Sequence, residues 1–526
     1  PLAWVVVALT AAVLLFILPF GLHRTALLRA RFRRPPVDPR PADPDTAPSA
    51  GPHPTRTDPA AAALDLPHVT VQLPLYNEPA VAARLVEAAG RLRHPDHLLE
   101  IQVLDDSTDH TPTRVAEALA RVAAHRDCRL VHLRREDRAG YKAGALARGV
   151  EEARGDLFLV LDADFVPPPD LLERLLPALD APGTGVVQAR WDHLNEGERL
   201  LTRGQARILD GHFLLEQESR HRAGHFLNFN GTAGIWRREA LEAAGGWSSD
   251  TLTEDMDASY RAQLAGWRFV FLADVGVPAE LPSTVRAFEV QQQRWAQGAI
   301  QTARKLLPAV WRAPLRLSTR LEATAHLTGH LAHALTLLLG LLLLPSALAR
   351  QTLGLERVLL LDLPVFVLAT LSFTAFYAAA GGMRGRSLPR SVAEALLALG
   401  MGVGLTASVT PAVLRGLRPG NREPFRRTPK RGSAVGPLPM EPGGTGIRRF
   451  RLVLVLWALL SLAGAVWWGF WASIPFLLLF LLGWGGLAVA DAVDGVRGRR
   501  GPAAGSPSPA PPRSGRIEGG HALPSA

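Results

Sequence analysis

The chain has 526 residues, 48% of them hydrophobic and 20% charged, with a formal charge of +10. That length holds one large soluble domain and a membrane part. Lys142, Lys305 and Lys430 are the only lysines, and the arginines gather beside apolar runs instead of forming a stripe interleaved with aromatics, which excludes nucleic acid as a partner. The one cysteine, Cys128, rules out an internal disulfide and a cysteine zinc site.

Residues 2–20 form a nearly uncharged apolar run of bilayer-spanning length, so a transmembrane helix is expected over 1–23. Arg24, Arg29, Arg31, Arg33 and Arg34 put its carboxyl side in the cytoplasm. Residues 24–67, basic and then rich in Pro, Asp and Ala, read as a linker. A soluble domain follows over 68–310. Strands are expected at 69–73, 100–104, 129–133 and 157–161, with helices at 79–92, 112–125 and 169–179 between and after them, and an amphipathic helix at 285–307. The alternation predicts an α/β domain with a mostly parallel sheet and helices on both faces.

Residues 311–492 predict an all-α transmembrane region with spans at 324–346, 358–380, 449–470 and 473–492. The apolar segment 390–415 is flanked by Arg384, Arg386 and Arg390 on one side and Arg415, Arg418, Arg422, Arg426 and Arg427 on the other. Two cytoplasmic flanks forbid a crossing, so this segment reads as an interfacial helix lying on the membrane. The expected topology is five crossings, an outside amino terminus, a cytoplasmic soluble domain and a disordered tail over 493–526. His326, His330 and His333 are expected on one helical face, as a packed polar stripe or the lining of a path.

Four signatures occur in fixed order: Asp105-Asp106, Asp162-Ala163-Asp164, Thr253-Glu254-Asp255 and Gln291-Gln292-Gln293-Arg294-Trp295. The first two end strand-like runs, which puts carboxylates at the carboxyl edge of a sheet, where open α/β folds bind ligands. Asp162 and Asp164 suit a hard divalent cation, Mg²⁺ or Mn²⁺, shared with substrate phosphates; the bland reading is a solvated turn. Asp105 or Asp106 can accept hydrogen bonds from a base or ribose, although Ser107, Thr108 and Asp109 also fit a helix N-cap. Asp255 can serve as the base for sugar transfer with inversion, supported by Glu254, while Asp257 reads as structural. The plain alternative is an acidic helix start. Arg294 can grip diphosphate oxygens in a forked geometry, with Gln291 also assigned to the nucleotide sugar, and Trp295 offers a flat face to a sugar ring. Lys142, between Gly140 and Gly144, is a second candidate phosphate cation.

With these motifs in place, residues 68 to 310 resemble family 2 glycosyltransferases of the cellulose-synthase-like group, nearest to mannan synthases and related glucan synthases. The matching text includes Gln72-Leu73-Pro74-Leu75-Tyr76-Asn77-Glu78, Gly140-Tyr141-Lys142-Ala143-Gly144, Val187-Gln188-Ala189-Arg190-Trp191 and Phe229-Asn230-Gly231-Thr232-Ala233-Gly234. The resemblance implies a GT-A fold and inverting transfer from a UDP- or GDP-hexose with Mg²⁺ or Mn²⁺. It implies that Tyr76 and Glu78 lie near the nucleotide, that Asp162 and Asp164 hold nucleotide and metal, and that Asp255 is the base. Asn230, Gly231, Thr232, Glu254 and Trp295 are the implied acceptor side. Phe425, Thr428 and Lys430 resemble a gating loop, within 416–432, that closes over the nucleotide.

One departure is Ala145, where cellulose synthases carry an asparagine after Lys-Ala-Gly. The implied protein is a multi-pass synthase of the inner membrane, building a β-linked glucan or mannan polymer, with β-1,4 the expected linkage, from UDP-glucose or GDP-mannose. The alternative is a non-processive enzyme glycosylating diacylglycerol or a polyprenyl phosphate, and a remote one an inactive scaffold or transporter. Oligomeric state is left open.

Overall fold

The computed structural model describes residues 1–33, 66–355, 359–420, 430, 432 and 445–500. Most of the linker, Phe425, Thr428 and residues 501–526 lie outside these. The first helix, α1 (Leu2–Arg33), runs ten residues past the expected span. The soluble domain then runs β1 (Val69–Leu75), α2 (Ala82–Gly90), β2 (Leu99–Asp105), α3 (Thr111–Ala123), β3 (Arg129–Arg134), α4 (Tyr141–Glu152), β4 (Leu157–Val160) and α5 (Leu171–Leu175). It continues through β5 (Thr184–His193), α6 (Leu200–Asp210), α7 (Glu218–Ala223), β6 (Gly234–Arg237), α8 (Arg238–Ala243), α9 (Glu254–Leu264), β7 (Arg268–Ala279) and α10 (Val285–Arg312). The helix expected at 169–179 is α5 followed by a 3₁₀ turn, Leu176–Leu179, entered at Pro177.

The sheet has seven strands in the order β3-β2-β1-β4-β6-β5-β7. Only β6 is antiparallel to its neighbours. Alternate residues of β4 face opposite cores, as strand geometry requires. Leu157 and Leu159 pack with Leu85 of α2 and Val115 of α3, while Phe158 and Val160 pack with Leu146 of α4 and Leu241 of α8. The domain is thus an α/β layer structure of GT-A type, with a mostly parallel sheet and helices on both faces.

The remaining helices are α11 (Leu317–Thr328), α12 (Leu331–Thr352), α13 (Leu359–Met383), α14 (Leu388–Leu417), α15 (Thr445–Trp467) and α16 (Ile474–Arg500). Among the described residues, α1, α12, α14, α15 and the stretch Trp471–Val496 are long and apolar enough to cross a membrane, and Val367–Met383 adds a shorter apolar helix. The span expected at 324–346 is in fact two helices that part at Gly329 and His330. A polar run interrupts the apolar pattern there, and Tyr260 Oη of α9 ties His326 Nδ1 on α11 to the soluble domain at 2.9 Å. His326 therefore sits on a different helix from His333, and only His330 and His333 stack, at 5.7 Å between ring centroids.

Both ends of α14 dock on the soluble domain. Before it, Arg384 reaches Asp192 at 2.7 Å and Asp210 at 3.0 Å, and Arg386 pairs with Glu196. At its far end Arg415 donates to Gln297 at 3.2 Å, and Arg304 of α10 donates to the carbonyl of Gly416 at 3.2 Å. Between these anchors α14 packs against α6 and α10 through Met401, Leu405 and Val409.

Candidate active site

The parallel strands bring their carboxyl ends to one edge. Leu75 of β1 lies opposite Asp105 of β2, and Asp106 N donates to the Leu75 carbonyl, so Asp106 emerges beside Tyr76. Leu161, just after β4, donates to Gln72 of β1 and starts the run that carries Asp162 and Asp164 out at the same edge. A cavity there is lined by Tyr76, Glu78, Asp106, Lys142, Asp162, Asp164, Asn230, Gly231, Glu254, Asp255, Gln291, Arg294, Trp295 and Lys430. All four signatures meet in it.

Two expected site residues stand behind the wall instead. Asp105 is 1% exposed; it accepts from Ser107 N at 2.9 Å and pairs with His132 Nε2 at 2.9 Å. Adjacent residues at a strand end face opposite ways, so Asp106, gripped by Arg135, is the cavity-facing member of the pair. Thr232 is fully buried, and its Oγ1 accepts from Asp162 N at 2.8 Å, which positions the acidic motif from behind. Asp257, read as structural, is buried and paired with Arg261 and Lys305. Phe425 and Thr428 fall outside the described residues.

Lys142 holds three motifs together. Its Nζ donates to Asp162 Oδ1 at 2.6 Å and to the Gly231 carbonyl at 2.9 Å, and lies 3.8 Å from Glu254. Burial works against this charge, but Asp162, Glu254 and Asp255 outweigh it and hold the ammonium pKa above its ordinary value. Lys430 reaches in from the segment after α14 and pairs with Asp164 at 2.5 Å. For Asp255, burial and then the charge of Glu254 push the carboxyl up to about 7, against Lys142, the Met256 N–H and Arg294. A carboxylate poised near neutrality is suited to proton abstraction.

Among the described residues no three His, Cys, Asp or Glu side chains cluster as a closed metal cage. Asp162 and Asp164 nevertheless fit a hard divalent cation, because both offer only oxygen and both carboxylates already accept a cationic partner. Such ions are commonly held by one or two carboxylates with substrate phosphates completing the shell.

The aromatic wall and one cation escape the motif reading. Trp191, at the end of β5, sits 5.3 Å from Phe165 and 6.3 Å from Trp295 between ring centroids. The guanidinium of Arg138 lies 3.2 Å over the ring of Tyr76. Both line the cavity; Trp191 belongs to the matching text quoted above, and Arg138 has only its nearness to Lys142 as a signal. Gly298 lets α10 approach the start of α9, since a Cβ there would stand 2.5 Å from Thr253 Cγ2. Among the described residues, the non-glycine residues with positive φ are Asn77, Tyr141 and Ala233, each next to a cavity-lining or motif residue. Such strain, of about 1–3 kcal/mol each, collects at functional sites.

Residues 67–298 match the family model described as "Glycosyltransferase like family 2". Glucomannan 4-beta-mannosyltransferase 2 of Arabidopsis thaliana is 43% identical over 263 residues, 49% of this chain and 49% of that protein. Glucomannan 4-beta-mannosyltransferase 1 of Oryza sativa subsp. japonica is 40% identical over 317 residues, 59% of this chain and 58% of that protein. The chain thus spans about half the length of the curated relatives it matches. The solved mannosyltransferase PcManGT from Pyrobaculum calidifontis, in complex with GDP-Man and Mn2+, shares 24% identity at a TM-score of 0.48, covering 74% of this chain and 100% of that one. Residues 67–298 thus form a domain that matches glycosyltransferase-like family 2 and is similar to the plant glucomannan 4-beta-mannosyltransferases.

Proposed function

We propose that this protein is a membrane-bound inverting hexosyltransferase that extends a β-1,4-linked glycan from a nucleotide sugar, with GDP-mannose as the first donor to test and UDP-glucose the second. The observation that carries the reading is the convergence of Asp106, Asp162, Asp164, Asp255 and Arg294 on one cavity. The names of the two plant relatives, at 43% and 40% identity, support mannosyl transfer.

In this reading Tyr76, Arg138 and Asp106 receive the nucleoside, and Asp162 and Asp164 would hold Mg²⁺ or Mn²⁺. When bound, the cation offsets negative charge on the departing diphosphate. Arg294 and Lys142 add fixed positive charge beside the same oxygens. Asp255 takes the proton from the attacking hydroxyl, on the face opposite the leaving group, and the anomeric centre inverts. Trp295 and Trp191 give the acceptor sugar a flat apolar surface. Lys430, already on Asp164, supports a gating role for the segment that carries it.

The docking of both flanks of α14 on the soluble domain supports the interfacial reading of that helix, and with it a multi-pass enzyme of the inner membrane whose catalytic domain is cytoplasmic. Membranes containing the full chain, incubated with labelled GDP-mannose or UDP-glucose and Mg²⁺ or Mn²⁺, should yield a product that resists solvent extraction and is cut by an endo-β-1,4-glycanase. Label in a solvent-soluble lipid would instead indicate transfer to diacylglycerol or a polyprenyl phosphate. Absence of transfer from either donor would refute the proposal.

A further inference from the structure

Between α6 and α7 the helix widens to π geometry over Gly211–Gln217. Such widenings are rare and often mark functional sites. This one aims two side chains at Asn230, which lines the cavity. Gln217 Nε2 donates to the Asn228 carbonyl at 2.6 Å and to Asn230 Oδ1 at 3.0 Å. Asn230 Nδ2 must then face His212 Nε2, 2.9 Å away. An amide N–H only donates, so Nε2 is the unprotonated nitrogen and the ring proton is on Nδ1. That Nδ1 lies 3.0 Å from Glu216 Oε2 and donates to it. Glu216 is in turn paired with Arg24 of α1 and stands 3.7 Å from Arg220. Burial, then Arg220 and Arg24, pushes the His212 pKa down to about 3, so the ring stays neutral.

We propose that His212 is a positioning residue for the acceptor: in the tautomer set by Glu216 and Arg24, it fixes the direction of the Asn230 carboxamide, which makes the first helix a structural part of the acceptor site. With His212 and Gln217 in place, Asn230 keeps one N–H and one carbonyl lone pair for sugar hydroxyls. Arg24 lies outside residues 67–298, so the glycosyltransferase domain does not supply this support by itself. The inference rests on the functional reading above and names its acceptor class, a sugar chain presented by hydroxyls.

The test uses the purified full chain, a β-1,4-manno-oligosaccharide acceptor and separate measurement of GDP binding. His212→Ala should lower kcat/KM for the acceptor about tenfold and leave GDP affinity within about twofold, by the loss of one oriented hydrogen bond. His212→Ala combined with Asn230→Ala should be no worse than Asn230→Ala, because both act through one amide. His212→Gln, whose carbonyl can take the Asn230 N–H, should recover most of the loss, and Arg24→Gln should fall between. Should His212→Ala fail to fold, His212→Gln and Arg24→Gln, each combined with Asn230→Ala, carry the same comparison. Losses that multiply in the double variant, or GDP binding that falls as far as transfer, would overturn the inference while an active wild-type enzyme keeps the functional reading standing. A wild-type enzyme inactive with both donors would overturn the functional reading and this inference with it.

Discussion

The Asp255 carboxyl offers the sharpest test of the proposed chemistry. Burial and the Glu254 charge raise it from 3.8 to about 7, a difference of about 4 kcal/mol between its protonated and ionised forms. About a tenth of molecules carry the carboxylate at pH 6 and about nine tenths at pH 8. With the carboxylate as the proposed base, wild-type kcat/KM should climb about tenfold over that interval. Asp255→Asn should lower transfer by about 10²–10⁴ and abolish the dependence, with GDP binding retained. Stability should move the opposite way. The unfolded carboxyl titrates near 3.8, so the folded state favours the proton; that advantage is complete below pH 3.8 and is lost as pH rises to about 7. At pH 8 the ionised group opposes folding by up to about 4 kcal/mol, and Asp255→Asn should raise Tm there while changing it little at pH 4. Hexose transfer by detergent-solubilised enzyme at fixed divalent cation, from pH 5.5 to 8.5, supplies the profile, and thermal melts supply Tm. A flat wild-type profile below pH 8, or an asparagine variant that melts lower at pH 8, would refute the reasoning.

Lys142→Met removes the ammonium that joins Asp162 to the Gly231 carbonyl. It should weaken nucleotide-diphosphate binding and transfer together, by at least about tenfold, since a charge-assisted bond is worth about 1.5–3 kcal/mol; titration of GDP would show it. Gly298→Ala drives a methyl to within 2.5 Å of Thr253 and should cost about 1–3 kcal/mol, read as a lower Tm with reduced kcat. Single cysteines at Ser387 and Arg418, in a Cys128→Ala background, should react with an impermeant maleimide from the same, catalytic side of the membrane. Labelling from opposite sides would mean that α14 crosses.

The strands that could be read in the sequence, β1 to β4, are short apolar or β-branched runs, and β2 and β4 run out at aspartates. β6 could not be read: it has only four residues, Gly234–Arg237, and it pairs antiparallel to β4 and β5. The break before α12 was missed because the polar run at Thr328, Gly329 and His330 is only three residues long and lies inside an otherwise helical stretch. In the site, carboxylate motifs were legible because their chemistry demands particular residue types at strand ends. Asp105 and Asp106 could not be told apart, since the choice depends on His132 across the sheet and on Arg135. His212 gave no signal at all. Its role depends on the π turn and on a glutamate whose arginine partner lies 192 residues away, at position 24.

Asn77, Tyr141 and Ala233 sit where glycine would rest at lower energy. Ordinarily a glycine substitution loosens a fold, because it enlarges the freedom of the unfolded chain. At these three joints the relief of backbone tension offsets that loss, so glycine there should be nearly neutral for melting yet let the walls of the pocket wander. The corners of this cavity are thus held by the surrounding body, and the same short loops cut out and grafted elsewhere would relax into other shapes.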